Sequence, residues 1–128
     1  MPITMSPEVL VAGVDAYITQ GITARLTTRT GAGASGSQTI SIIDAPVTLL
    51  ASVNATTTVT FTNVPDGFAS TWYVEVSNRG ANAVTFSGVT WDGGSAPTLA
   101  TTGKSVLEFY SRDGGTTIYG KARFLSIA

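Results

Sequence analysis

At 128 residues the chain has room for one domain and a short appendage; a chain of this size buries about two thirds of its unfolded surface, which excludes a second core. Charged residues make up 12% and the formal net charge is -1. The seven basic residues, Arg25, Arg29, Arg79, Lys104, Arg112, Lys121 and Arg123, are scattered singly, which excludes the clustered basic footprint of a nucleic-acid binder.

The N-terminus, Met1-Pro2-Ile3-Thr4-Met5, lacks the basic start of a secretory leader. Ser6-Pro7-Glu8 then reads as a helix start, with serine as N-cap, proline at the first helical position and an acid in the first turn. From Val9 to Leu26 two templates fit. At helical spacing Val11, Val14, Ile18 and Ile22 form an apolar stripe, with Leu10 and Tyr17 beside it. At spacing two Leu10, Ala12, Val14, Ala16, Ile18, Ile22, Ala24 and Leu26 share a side. Gly13 and Gly21 weaken a long helix, so the expectation is a short helix over Pro7–Tyr17 followed by a strand. Val11, Val14, Tyr17 and Ile18 are the candidate docking residues of this arm.

The run Thr30–Ser37 is built from small residues of the kind found in flexible linkers or loop tips. It divides the chain into an N-terminal arm for docking or oligomerisation, residues 1–37, and a β-sandwich, residues 38–128. Seven segments in the second part are rich in valine, isoleucine, threonine and aromatics: Gln38–Ile43, Val47–Val53, Thr57–Thr62, Thr71–Ser77, Ala83–Trp91, Ser105–Ser111 and Thr116–Phe124. Residues that tolerate positive φ or set a turn's first corner separate them, as in Pro65-Asp66-Gly67, Asn78-Arg79-Gly80 and Asp113-Gly114-Gly115. The expected fold is all-β, a small antiparallel sandwich of about seven short strands with a short N-terminal arm and at most one helix. Alternation turns Trp72, Val74 and Val76 inward and Glu75 outward, and assigns Val59, Phe61, Val84, Phe86, Val106, Phe109, Ile118 and Phe124 to the core.

Cysteine and histidine are both absent. Disulfides, thiolate and imidazole metal sites, the thiolate nucleophile and the commonest general base are removed together. No apolar run approaches the roughly 20 residues that span a bilayer. No cofactor, nucleic-acid partner or membrane insertion is expected, and the chain reads as a non-enzyme. The rival reading is glycoside cleavage by carboxylates drawn from Asp92, Glu108 and Asp113. Asp92-Gly93-Gly94-Ser95 and Asp113-Gly114-Gly115-Thr116 echo one another. They suit two hairpin turns better than a shared cation site, because calcium loops concentrate more oxygen ligands than one acid each. Trp91, Tyr110 and Tyr119 flank the glycine turns, either as a surface or subunit contact or as a platform for the flat face of a sugar.

The stretch Val84–Leu99, containing Trp91-Asp92-Gly93-Gly94-Ser95-Ala96-Pro97-Thr98-Leu99, is followed by Gly103–Tyr110 and by Asp113-Gly114-Gly115-Thr116-Thr117-Ile118-Tyr119-Gly120. In order and spacing these elements resemble the terminal domain of bacteriophage tail fibre proteins. Asp92 stands where such fibres often carry proline, and Ile118 where they often carry tryptophan. The resemblance implies a trimeric β-structured virion appendage, with baseplate, tail or capsid proteins as partners and a host surface glycan as a further one. The expectation is a short tail-fibre-like structural protein of the phage particle, with a capsid decoration protein and a carbohydrate-binding receptor module as alternatives.

Overall fold

A computed structural model describes residues 24–127. The expected helix over Pro7–Tyr17 and the docking candidates Val11, Val14, Tyr17 and Ile18 lie outside the described residues. Threonine, valine and isoleucine are stiff at χ1 and favour extended backbone, and the described chain is accordingly dominated by short strands. These are β1 (Leu26–Thr30), β2 (Gly36–Ser41), β3 (Val47–Ala51), β4 (Thr57–Thr62), β5 (Ser70–Ser77), β6 (Val84–Phe86), β7 (Val89–Trp91), β8 (Lys104–Ser111) and β9 (Ile118–Ile127). One sheet has the order β1-β3-β5-β8-β9-β7 and the other β2-β4-β6. The all-β class and its two sheets are as expected.

The antiparallel pairing is not. Five of the seven strand pairings are parallel, and only β5 with β8 and β8 with β9 run antiparallel. The chain passes from one sheet to the other and back, so through β6 each strand returns beside its predecessor in that sheet in the same sense, whereas β7 lies at the far edge with β8 and β9 between it and β5. Leu26 pairs with Val47 and Val47 with Tyr73 in the larger sheet, while Gly36 pairs with Thr57 and Thr57 with Val84 in the smaller. The result is a short stack of coils, closed by the β8–β9 hairpin.

Of the turns that the sequence places between strands, Asn78-Arg79-Gly80 is a corner of these coils, while Asp113-Gly114-Gly115 joins the β8–β9 hairpin. Both devices use left-handed backbone, so turn chemistry alone does not separate them. Thr30, Ala51 and Ser77 occupy the same register column, and the next residue of each coil, Gly31, Ser52 and Asn78, has φ of 57°, 53° and 51°. A single left-handed residue thus ends each of these strands and turns the chain toward the other sheet. The Thr30–Ser37 run is one such corner. Gly31–Ala34 forms a 3-10 turn with Ala34 fully buried, and the Ser35 hydroxyl donates to the Gly31 carbonyl at 2.8 Å. Gly31 supplies the left-handed corner and Ala34 the one fully buried side chain of the run, and a tight corner built this way has the composition of a flexible linker. Leu26–Thr30 and Gly36–Ser37, expected in the arm and its linker, likewise pair within the sheets.

Two further departures follow from local geometry. The expected strand Ala83–Trp91 divides at Ser87-Gly88, where Gly88 has φ of 73°, so Val84–Phe86 joins one sheet and Val89–Trp91 the other. Val106 and Phe124 are register partners beside a bulge in the β8–β9 ladder; Ser105 and Leu107 take the inward positions, so Val106 lies outside the core and Phe124 is 54% exposed.

The core joins the two sheets through aromatic rings. Phe109 on β8 lies 4.7 Å from Phe61, 5.1 Å from Phe86, 5.8 Å from Trp91 and 6.1 Å from Trp72, centroid to centroid. Around this cluster Ile40, Leu50, Val59, Val74 and Leu107 are fully buried. Two buried serines are satisfied by the backbone: the Ser105 hydroxyl donates to the Leu125 carbonyl and accepts from the Ala100 amide, and Ser111 accepts from the Gly115 amide. Phe109→Ala removes the shared neighbour of four rings and is expected to cost about 3–5 kcal/mol, measured as a lowered urea midpoint. A loss under about 1 kcal/mol would show that the sheets close without it.

Candidate functional site

The exposed side of the larger sheet carries a groove of about 540 Å³. Alternation builds it. Ser105, Leu107, Phe109 and Ser111 of β8 point inward, which leaves Glu108 and Tyr110 on the outer side; on β9 Ile118 and Gly120 are buried, which leaves Tyr119 and Lys121 outside. Register aligns these residues in rows. Thr71, Tyr110, Tyr119 and Thr90 occupy one row across β5, β8, β9 and β7, while Tyr73, Glu108 and Lys121 occupy the next. The 3-10 turn Asp92–Gly94, which follows β7, adds Asp92 and Gly93 to the wall.

Tyr110 and Tyr119 form a cross-strand pair with centroids 6.5 Å apart and planes inclined by 24°. They are 38% and 46% exposed, so much of each ring is open to solvent. Beside them the Glu108 carboxylate lies 3.9 Å from the Lys121 ammonium and accepts a hydrogen bond from Arg123 at 3.2 Å. Both contacts fall on Oε1. At this exposure the pairs contribute about 0–1 kcal/mol each, so they orient the carboxylate more than they stabilise the fold.

Trp91 lines the same groove but is half-buried, with its ring edge-on to Phe86 at 5.9 Å and to Phe109 at 5.8 Å. Room for it comes from its register partner Gly120, where a Cβ would stand 2.9 Å from the Trp91 ring and 2.7 Å from Val89 Cγ1. Of the three aromatics singled out in the sequence, Trp91 is therefore tied to the core while Tyr110 and Tyr119 present open faces. Thr71, Thr90 and Lys121 escaped the sequence reading. Alternation could have placed each on an outer face, but only the long-range register assembles them into one site.

The two Asp-Gly-Gly turns do different things. Asp113–Gly115 connects the antiparallel strands β8 and β9 as expected, whereas Asp92–Gly94 follows β7, which pairs with β9 in parallel and makes no hairpin. Asp92 and Glu108 share the groove wall; Asp113 does not line it. No three acidic side chains gather as a metal site among the described residues. Comparison with protein-family models, with curated protein sequences and with solved structures returned no match.

The Asp113 carboxylate accepts from the Thr117 amide at 2.8 Å and from the Ser111 hydroxyl at 3.2 Å. The Thr117 amide is the main cause of a pKa held below the ordinary aspartate value of 3.8, and the hydroxyl of Ser111 adds to it. The folded value is depressed, so the turn's contribution is present above pH 3.8 and is lost as pH falls through the folded pKa. An NMR titration of the Asp113 carboxyl carbon is expected to give a midpoint below 3.8, with Thr117 amide protection declining over the same range. A midpoint at or above that value would contradict the hydrogen-bonded turn.

Proposed function

We propose that the protein is a non-enzymatic structural component of a bacteriophage particle, a short tail-fibre-like appendage that docks through its N-terminal segment and assembles as a homotrimer. The observation that carries this reading is the outer portion of the closing hairpin. β7 covers β9 only over Ile118–Gly120, and in the stretch beyond it Phe124, Leu125 and Ile127 are 54%, 43% and 38% exposed. Apolar side chains along a strand edge without a partner among the described residues are a template for association with another chain. In a chain with only 12% charged residues, burying this stretch between copies accounts for the sparse surface charge.

The tail-fibre-like residues support the same reading through their structural roles. Leu99 of the Ala96–Leu99 segment is buried in the core, and its carbonyl accepts from Arg79 at 2.7 Å. The Asp113–Gly115 turn makes the hairpin whose second strand carries the exposed apolar stretch. These residues shape and close the fold, and the chain lacks both histidine and cysteine for catalysis.

Light scattering of the purified full chain is expected to return a trimer mass at micromolar concentration. Phe124→Asp, at an exposed position, should lower that mass to a monomer while leaving the thermal unfolding temperature near wild type. A wild-type monomer would reject the assembly, and immunogold labelling tests the location. Label on tails supports the appendage, label confined to capsids transfers the protein to a decoration role, and unlabelled particles reject the virion assignment.

A further inference from the structure

We propose that the outer-face groove is a binding site for an uncharged oligosaccharide of hexopyranose units. The apolar face of the sugar would lie on Tyr110 and Tyr119, and its hydroxyl groups would bond Glu108 and Asp92. The groove lies on the same outer face of the hairpin as Phe124 but uses different side chains, so variants at Tyr110 and Tyr119 test it separately from the assembly.

Three features point to this ligand. First, Tyr110 and Tyr119 line the groove as a stacked cross-strand pair 6.5 Å apart, and they stay 38% and 46% exposed although neither fills the core. Rings of this kind offer an apolar body and a polar tip to a ligand that is itself apolar on its faces and polar at its rim. Second, hydrogen-bonding groups ring the aromatics on several sides: the hydroxyls of Thr71 and Thr90, the carboxylates of Asp92 and Glu108, and the Lys121 ammonium. With Lys121 and Arg123 both on Oε1, Glu108 Oε2 is left to accept from a sugar hydroxyl. Third, the volume of about 540 Å³ lies within the range of about 300–1,000 Å³ typical of small-molecule sites.

Charge selects among ligands that stack on aromatics. Two carboxylates and one ammonium line the groove, and Arg123 is engaged with Glu108. A nucleic-acid strand requires a basic track for its phosphates, and here it would face Asp92 and Glu108. Uronic or sialic acid units meet the same two carboxylates. A polyamine or amino sugar would meet Lys121. A neutral hexose chain satisfies both signs through hydroxyls that donate to the acids and accept from the lysine.

The test uses the full chain and titration calorimetry with neutral tetrasaccharides of glucose, galactose and mannose. Oligosialic acid, oligo-dT and a threonine-rich peptide serve as comparison probes. At least one neutral tetrasaccharide is expected to bind. Tyr110→Ala and Tyr119→Ala should each weaken it about tenfold or more. Tyr119→Phe should retain binding, because the ring face makes the contact. Glu108→Gln should weaken binding while leaving the aromatic contribution intact. Thermal unfolding of each variant checks that the fold persists, and unchanged assembly mass separates this site from the subunit interface. The proposal is overturned if no neutral tetrasaccharide binds, if binding survives the Tyr110→Ala, Tyr119→Ala double variant, or if the anionic probes or the peptide bind in preference.

Discussion

Phe109 is the point at which the two sheets become one fold. It belongs to the hairpin strand β8, yet its ring meets Phe61 and Phe86 from the smaller sheet and Trp72 and Trp91 from the larger. Parallel coils leave their last turn with an open flank, because the next strand in the stack is missing. The antiparallel β8 covers that flank, and Phe109 is the side chain through which the cover grips the interior. The outer face of the same strand carries Glu108 and Tyr110, so inward packing also aligns the groove.

Among the described residues, the β1–β2 end of the stack carries a polar fork. Arg29 pairs in register with the fully buried Leu50, and its guanidinium donates to Gln38 Oε1 at 2.7 Å and to the Thr39 carbonyl at 3.1 Å. A charged fork reaching across both sheets places water-compatible groups over an apolar column. Arg79 acts comparably near the hairpin, gathering the carbonyls of Gly80, Asn82 and Leu99.

Strand identity was legible in the sequence because alternation is local. Trp72, Val74 and Val76 are buried on β5, and Val59 and Phe61 on β4, as their spacing predicts. Pairing sense was not legible. A corner at Asn78 and a hairpin turn draw on the same residues, and what separates them is whether the following strand returns beside its neighbour or one coil later. Phe124 was misassigned for a related reason: its face depends on the bulge near Val106, a property of two strands together. The groove combines both cases. Tyr110 and Tyr119 could be singled out by composition, but their companionship with Thr71 and Thr90 depends on register between segments far apart in the chain.

The left-handed corner column at Gly31, Ser52 and Asn78 has a consequence for how such a chain changes over evolutionary time. Each circuit begins and ends on equivalent corners, so a whole circuit can be duplicated or deleted with its register intact, lengthening or shortening the stack by one strand per sheet. Smaller insertions survive only in the corners, where the passages already differ in length. Within a strand, one added residue would turn every later side chain to the wrong face. Length in this fold is therefore quantised, and the closing hairpin can travel unchanged on stacks of different height.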